Sequence, residues 1–158
     1  MSKIPAESEK KISSKFQKRL LELIEEEGCD KYEFAALVKV SVPVITRASI
    51  YGIIPSLRPL IKIADYSKIS LPYLLGESDD EHFYPSEENE TFHIRLERLA
   101  KEKEKKYSEI AHYMPFTKNY FYEWQREKTL PSLEYLEALA FYFSVSIDYL
   151  LGRTDERD

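Results

Sequence analysis

The sequence predicts an all-α protein built from two copies of a five-helix unit. Two observations carry this prediction: the second half of the chain repeats the first, and the apolar residues recur at helical intervals between capping residues. Only four glycines occur in 158 residues, which disfavours a turn-rich β protein. Apolar residues make up 43% of the chain, enough to predict packed cores rather than disorder.

The repeat emerges when Phe92 is placed on Phe16 and the rest of the chain follows in that register, without a gap. Two residues related by this constant shift are called equivalent below. The matched residues are mostly apolar or turn-forming, so they define a shared fold more than a shared surface. The identical pairs include Phe16 and Phe92, Arg19 and Arg95, Leu20 and Leu96, Leu23 and Leu99, Ala35 and Ala111, Pro55 and Pro131, Ser56 and Ser132, Leu60 and Leu136, Ala64 and Ala140, and the runs Tyr73–Gly76 and Tyr149–Gly152.

Capping residues divide the first copy into its five helices. The first helix carries an apolar stripe and ends at Gly28, and Asp30 with Glu33 forms a capping-box pattern that opens the second. Ser41 is expected to cap the third helix, whose first turn tolerates Pro43. The fourth and fifth helices are predicted to begin after Ser56 and Ser70, and the fifth to end at Gly76.

The second copy follows the same path, with Thr117, Ser132 and Ser146 as the expected caps and Gly152 as the final stop. Lys106 stands at the position of Asp30, so the second helix of this copy is expected to start with weaker local support. In both copies a three- or four-residue turn joins the second and third helices. That spacing predicts a steep crossing that leaves one side of the third helix exposed.

Charge marks the boundary between the copies. Seven acidic residues and no lysine or arginine fall within residues 77–91, which also lack helical periodicity, so this segment is predicted to be a linker. The flanking copies are near neutral, and the seven negative charges of the linker exceed the net charge of −5 of the whole chain. The predicted organisation is a polar N-terminal tail (1–14), a first domain (15–76), the acidic linker (77–91), a second domain (92–153) and a C-terminal tail (154–158).

Three stretches of the second copy carry a resemblance to a known family. They are Glu109-Ile110-Ala111 with Thr117, the run from Trp124 to Ser132, and the ending from Val145 to Gly152. Through them the chain resembles the Cro/lambda-repressor-like helix-turn-helix family, also called the XRE family. The resemblance occurs twice, once in each copy, and covers nearly the whole chain. The resemblance implies two tandem five-helix lambda-repressor-like domains. It also implies a transcriptional regulator, a repressor by analogy, that binds duplex DNA sequence-specifically through the third helix of one or both units.

The resemblance further implies that DNA contacts come from the start of the second helix and the exposed face of the third. In the second copy the matching residues are Tyr107, Thr117, Lys118, Asn119, Tyr122, Arg126 and Lys128. In the first copy they are Lys31, Ser41, Thr46 and Arg47, together with Val42 and Pro43. Lys118 suits a phosphate or a guanine edge, and Asn119 suits adenine. Val42 and Pro43 suit only a thymine methyl group, so the second copy is expected to be the stronger reader.

Two departures from the family pattern are expected to change the turns. The family usually has glycine between the second and third helices, where this chain has Lys39 and Pro115. Because Pro115 cannot adopt a positive φ, its turn must be built differently. The family also usually has glycine after the third helix, where this chain has Tyr51 and Glu127.

Other function classes find no support in the residue pattern. No catalytic triad, paired carboxylates or glycine-rich phosphate loop emerges, so no enzyme activity or small-molecule ligand is expected. No cluster of residues has metal-ligand spacing, so neither a metal nor another cofactor is expected. No membrane span or signal peptide is expected, and the single cysteine, Cys29, favours a reducing, cytoplasmic setting.

A protein-interaction or dimerisation module is the alternative to DNA binding. Here degenerate helix-turn-helix units hold a partner or a second copy of the chain through aromatic residues around the third helix, such as Tyr113, Tyr120 and Tyr122, while Phe121 and Trp124 are expected in the core. The acidic linker and the altered turns favour this alternative. The DNA hypothesis expects duplex DNA as the partner, bound by the chain alone or as a homodimer. Only DNA binding is expected to weaken steeply with salt.

Overall fold

The computed structural model describes residues 11–158, and every regular element in that range is a helix. The prediction of an all-α protein is therefore confirmed for these residues. Two isolated antiparallel bridges accompany the helices, between Ile12 and Ile53 and between Pro85 and Thr154. The helices in chain order are α1 (Ser14–Glu27), α2 (Lys31–Val38), α3 (Val42–Tyr51), α4 (Leu57–Ser67), α5 (Leu71–Leu74), α6 (Phe92–Glu102), α7 (Tyr107–Ala111), α8 (Asn119–Glu127), α9 (Leu133–Phe143) and α10 (Ile147–Leu150).

The chain divides into two compact units, Met1–His82 and Phe83–Asp158. Unit 1 contains α1 to α5, and unit 2 contains α6 to α10. The helices α4 and α9 begin and end at equivalent positions, and so do α5 and α10. The internal repeat of the sequence is therefore also a repeat of helix order.

Each unit has an apolar core built from the residues of the predicted helical stripes. In unit 1, α3 packs against both α1 and α2. Ala35 on α2 is buried, and its small side chain permits a close approach of neighbouring helices. Fully buried residues include Phe16, Leu20, Phe34, Ile45, Leu60, Ile63, Leu71 and Leu74 in unit 1, and Phe92, Leu96, Ile110, Phe121, Leu136, Leu139 and Leu150 in unit 2.

Residues with positive φ lie at the ends of helices or just after them, mostly at equivalent positions of the two units. Gly52 (φ 70°) closes α3, and Lys128 (φ 58°) closes α8 at the equivalent position. The first copy therefore keeps a glycine after its third helix, and the expectation that Tyr51 replaces it is wrong, because α3 runs through Tyr51. Other equivalent pairs with positive φ are Gly28 and Glu104, Lys68 and Ser144, and Gly76 and Gly152.

The turn before the third helix differs between the units, as Pro115 predicts. In unit 1, Lys39 adopts φ 61° and closes α2. In unit 2, no residue between α7 and α8 has a positive φ, because the proline ring of Pro115 fixes a negative one. The result is a shorter α7, which ends at Ala111, and a longer connection to α8.

The capping predictions hold at most helix starts. Asp30 accepts a hydrogen bond from the Glu33 amide at 2.8 Å, and the Glu33 carboxylate accepts one from the Asp30 amide at 3.1 Å, which completes the capping box. At Lys106 only the second of these two hydrogen bonds forms, from the Lys106 amide to the Glu109 carboxylate at 2.9 Å. The first is missing because the ammonium group of Lys106 cannot accept a hydrogen bond. Ser70, Ser132 and Ser146 each cap the next helix through their hydroxyl oxygen.

Three predicted caps differ in the structure. Thr117 does not cap α8, since that helix begins at Asn119 with Lys118 as its N-cap residue. The reason is the altered turn, which starts α8 one residue later than the repeat would place it. Ser41 and Ser56 lie at the N-cap positions of α3 and α4 but make no side-chain capping hydrogen bond.

An arginine with little exposed surface joins the first and last helices of each unit. In unit 1, Arg19 donates to the carbonyl oxygen of Tyr73 at 2.5 Å and to that of Ser78 at 3.4 Å. Its guanidinium also contacts the Asp79 carboxylate at 3.3 Å and lies 3.7 Å from the centre of the Tyr73 ring. Ser78 and Asp79 lie beyond the region that the sequence repeat defines.

Arg95 repeats this arrangement at the equivalent position of unit 2. It donates to the carbonyl oxygens of Tyr149 at 2.8 Å and Thr154 at 2.5 Å, and its guanidinium lies 4.3 Å from the centre of the Tyr149 ring. It also forms ion pairs with Asp155 at 2.8 Å and Glu90 at 3.1 Å. Only 1% of Arg95 is exposed. The shared geometry extends the structural repeat through residues 154 and 155.

The segments expected to be a linker and a tail pack against the units. Asp79 contacts Arg19 in unit 1, and Ser86 donates its amide to the carbonyl oxygen of Arg153 in unit 2. In the expected C-terminal tail, Thr154 is buried and Arg157 binds the Glu102 carboxylate at 2.8 Å. The expected N-terminal tail falls mostly on residues 1–10, which lie outside the described residues; of the rest, Ile12 pairs with Ile53.

We expect unit 2 to lose stability as the pH falls below about 4.5. The pKa of Glu90 lies below its usual 4.5 because Arg98 and then Arg95 donate hydrogen bonds to it. The pKa of Asp155 lies below its usual 3.8, chiefly because the Ser86 hydroxyl donates to it. A carboxylate whose pKa is lowered by folding stabilises the fold above its unfolded pKa. That stabilisation disappears as the pH falls through the folded pKa.

The measurement for this acid sensitivity is the urea unfolding midpoint between about pH 7 and pH 3, followed by fluorescence. Trp124 is the single tryptophan and lies buried in unit 2, so its emission reports on that unit. The midpoint should fall in acid in the unchanged chain and fall less steeply in Glu90→Gln. Equal pH dependence in the two proteins would contradict the role assigned to Glu90.

Candidate nucleic-acid interface

The helix α3 is held in unit 1 by one face and exposes the other. Its buried residues are Ile45, Ala48 and Ser49. Pro43, Arg47 and Ile50 lie on the opposite side at helical spacing, and all three are exposed. One side of this helix is thus anchored in the core while the other is accessible.

The C-terminal end of α3 is fastened to α1. The side-chain amide of Gln17 donates to the carbonyl oxygens of Ser49 at 3.0 Å and Ile50 at 2.9 Å. These are carbonyls of the last turn, which have no partner within the helix. A Cβ on Gly52 would lie 2.9 Å from the carbonyl oxygen of Ser13, so the chain approaches α1 closely here. The exposed face of α3 is therefore presented by a fixed helix.

The four predicted contact residues of the first copy lie on or near this face. Arg47 is exposed at its centre, and its guanidinium has no ion pair or hydrogen bond among residues 11–158. Thr46 flanks it and is half-buried, while Ser41 is exposed at the start of the helix. Lys31 is half-buried at the start of α2, with its ammonium 5.4 Å from the centre of the Tyr32 ring.

Two exposed residues of α3 were not among the predicted contacts. Ile50 is 50% exposed and Tyr51 is 63% exposed. Both lie about one helical turn after Arg47, so helical spacing from that arginine could have found them. A groove of about 290 Å³ also lies beside Arg47, and its lining residues are Val44, Arg47, Ile53, Ile54, Pro55, Ser56 and Pro59.

The helix α8 of unit 2 has the same general placement. Its buried residues are Phe121 and Trp124, which confirms the core prediction for both. Asn119, Tyr122 and Arg126 lie on the exposed side, as predicted. The nearby Thr117, Lys118 and Lys128 are exposed as well.

Tyr107 has a packing role that the prediction of a DNA contact did not include. Its ring stacks on Phe121 with centroids 4.6 Å apart, and its hydroxyl accepts a hydrogen bond from Gln125 at 3.0 Å. Burial raises the pKa of the Tyr107 hydroxyl. Gln125 also donates to the carbonyl oxygen of His93 at 3.0 Å. Tyr107 thus belongs to the contacts that hold α8 against α7.

The charges of the two exposed faces differ at equivalent positions. Glu123 is equivalent to Arg47, so a carboxylate in unit 2 stands where unit 1 has a guanidinium. Arg126 pairs with its neighbour Glu127 at 3.1 Å. Residues 31–58 contain four basic residues and one acidic residue, whereas residues 107–134 contain three basic and four acidic. These charges favour unit 1 as the binder of a polyanion, the reverse of the sequence expectation.

No family model matches the chain, and no curated protein or solved structure does either. The function must therefore be inferred from the faces of α3 and α8 themselves.

Among residues 11–158, no group of three or more His, Cys, Asp or Glu residues is arranged to hold a metal ion. None of the helices in that range combines the length and the apolar character needed to cross a bilayer. The pKa of the Cys29 thiol is raised by desolvation and then by the carboxylates of Glu33 and Glu27, which disfavours the reactive thiolate.

Proposed function

We propose that this chain binds duplex DNA sequence-specifically through the exposed face of α3 and acts as a transcriptional regulator. On this proposal the two five-helix units are lambda-repressor-like domains, and unit 1 is the principal DNA reader. The observation that carries the proposal is the exposed guanidinium of Arg47, which has no ion pair or hydrogen bond among residues 11–158. It lies at the centre of the exposed face of a helix held by Gln17 and the core.

The dimensions and chemistry of α3 suit the major groove. The groove is about 12 Å wide and admits one α-helix with its side chains. Arg47 has the planar pair of donors that matches the O6 and N7 acceptors of guanine. Ser41 and Lys31 lie where the preceding turn would pass the backbone, and both can donate to phosphate oxygens.

Repression follows from occupancy, since a protein in the groove at a promoter excludes other proteins from that site. Two copies of the chain could then occupy half-sites about 34 Å apart on one face of the duplex. A homodimer is therefore the assembly that we propose for a symmetric site.

A protein-interaction role for unit 2 is the second candidate, and two observations favour it. Glu123 replaces the central arginine of the exposed face. Phe141 on α9 is 88% exposed where unit 1 has Asp65, so unit 2 offers a partner an aromatic side chain at a position that is acidic in unit 1, and aromatic residues are enriched in protein interfaces. The two functions are compatible, because DNA binding is assigned to unit 1 and protein interaction to unit 2.

The experiment for the proposed function is selection of duplexes from a random library by the whole chain, followed by titration of the enriched sequence. We expect one sequence to be enriched, and its log affinity to fall linearly with log salt concentration as counterions are released. Enrichment of no duplex would overturn the proposal. Binding that is independent of salt would also contradict it, because contacts with phosphates release counterions.

A further inference from the structure

The exposed face of α3 combines one hydrogen-bonding group with apolar surface on both sides. Arg47 is the charged residue at its centre. Pro43 lies one turn before it, and Ile50 lies one turn after it with half of its surface exposed. Thr46 precedes Arg47 and is half-buried at the edge of the face. Pro43 and Ile50 thus place apolar surface on both sides of Arg47, whose guanidinium has no ion pair or hydrogen bond among residues 11–158.

The floor of the major groove offers one apolar group, the 5-methyl of thymine. Polar side chains read the other base edges through hydrogen bonds, and Pro43 and Ile50 can make none with their side chains. Opposite either residue, a thymine methyl would be covered by carbon, whereas a cytosine amino group would lose its hydrogen bond to water. The face therefore distinguishes thymine from cytosine in two ways. It attracts the thymine methyl group, and it imposes a desolvation cost on the cytosine amino group.

The spacing along the helix sets the distance between the bases that are read. At about 1.5 Å per residue, Pro43 precedes Arg47 by about 6 Å along the axis, and Ile50 follows it by about 4.5 Å. Because base pairs are stacked about 3.4 Å apart, these distances correspond to between one and two base pairs on each side of the base that Arg47 contacts.

We propose that α3 recognises thymine methyl groups on both sides of a guanine, within a core of about three to five base pairs. Pro43 and Ile50 cover the methyl groups, and Arg47 binds the guanine. This proposal depends on the proposed function and adds to it the class of sequence that is read. It distinguishes α3 from α8, whose equivalent positions are Asn119, Glu123 and Arg126.

The test is replacement of single thymines by uracil in the duplex selected by the whole chain. Uracil pairs like thymine but lacks the methyl group. Loss of one buried methyl should weaken binding about fourfold at each contacted thymine. Uracil placed outside the core serves as the control for altered DNA flexibility and should change binding less than about 1.5-fold.

A variant of the protein then links each methyl group to its side chain. In Ile50→Ala, the thymine on one side of the guanine should lose its advantage over uracil, while the thymine on the other side keeps it. Tyr122→Ala, on the exposed face of α8, should preserve both preferences. Because half of Ile50 is exposed, its truncation should leave the fold intact, which thermal unfolding checks.

The outcomes separate this proposal from the one on which it rests. If the chain binds a selected duplex but replacing every core thymine with uracil leaves the affinity unchanged, methyl recognition is overturned and DNA binding stands. The same conclusion follows if Ile50→Ala retains both thymine preferences. If no duplex is selected at all, both proposals are overturned.

Discussion

Replacing Arg47 with alanine is expected to weaken binding of the selected duplex by roughly tenfold to a hundredfold, the range for loss of one bidentate contact to guanine. The effect should depend on sequence, because Arg47 is proposed to read a base rather than a phosphate. Folding should be unaffected, since its guanidinium has no ion pair or hydrogen bond among the described residues. Fluorescence anisotropy titration of the duplex with each protein measures the change.

The matched controls for Arg47→Ala are Lys118→Ala and Arg126→Ala in unit 2. Lys118 is the N-cap residue of α8 and Arg126 lies on its exposed face, and each change removes one cation, so general loss of positive charge is the same in all three variants. We expect each control to change the affinity less than about twofold. Strong loss in Lys118→Ala together with none in Arg47→Ala would show that α8 is the reader.

Replacing Arg95 with methionine is expected to destabilise unit 2 by about 3 kcal/mol, since two buried hydrogen bonds from a charged donor are lost at about 1.5 kcal/mol each or more. Methionine fills much of the volume, but it leaves the carbonyl oxygens of Tyr149 and Thr154 without their donor. The midpoint of thermal unfolding, followed by Trp124 fluorescence, should fall by more than about 10 °C.

Arg19→Met is the corresponding change in unit 1 and serves as the control. Arg19 has the same kinds of partner, but its side chain is 12% exposed and its contact with Asp79 is longer, at 3.3 Å. We expect it to shift the Trp124 transition less than Arg95→Met does. A shift of less than about 3 °C in Arg95→Met would contradict the structural role assigned to that arginine.

The helices and most of their ends could be predicted because their signals are local. Asp30 and Glu33 are separated by less than one helical turn, and their reciprocal hydrogen bonds follow from that spacing alone. The repeat gives each helix an equivalent in the other copy. A helix whose apolar or capping pattern is weak in one copy is therefore supported by the pattern of its equivalent. Pro115 likewise predicted an altered turn because a proline ring excludes positive φ.

The remaining features depend on contacts between distant residues, which leave little trace in a single sequence. Arg19 and Arg95 were visible as an identical pair, but their partners are mainly backbone carbonyls, and every residue has one. The packing of Tyr107 on Phe121 depends on how α7 meets α8, which the altered turn changes.

The reversal of charge between the two faces was, in contrast, available from the alignment. Arg47 and Glu123 occupy equivalent positions of the repeat, and comparing the copies position by position shows the difference. What the sequence alone did not show is that both lie at the centre of an exposed face. The polar residues of the second copy favour DNA reading by that copy, whereas the carboxylate of Glu123 opposes it.

The most direct measurement of the central claim is nuclear magnetic resonance of the whole chain during titration with the selected duplex. If the exposed face of α3 enters the groove, the largest changes in backbone amide shifts should fall on residues 41–51, with much smaller changes on residues 117–128. Changes confined to residues 117–128, or a duplex that binds without altering α3, would contradict the account.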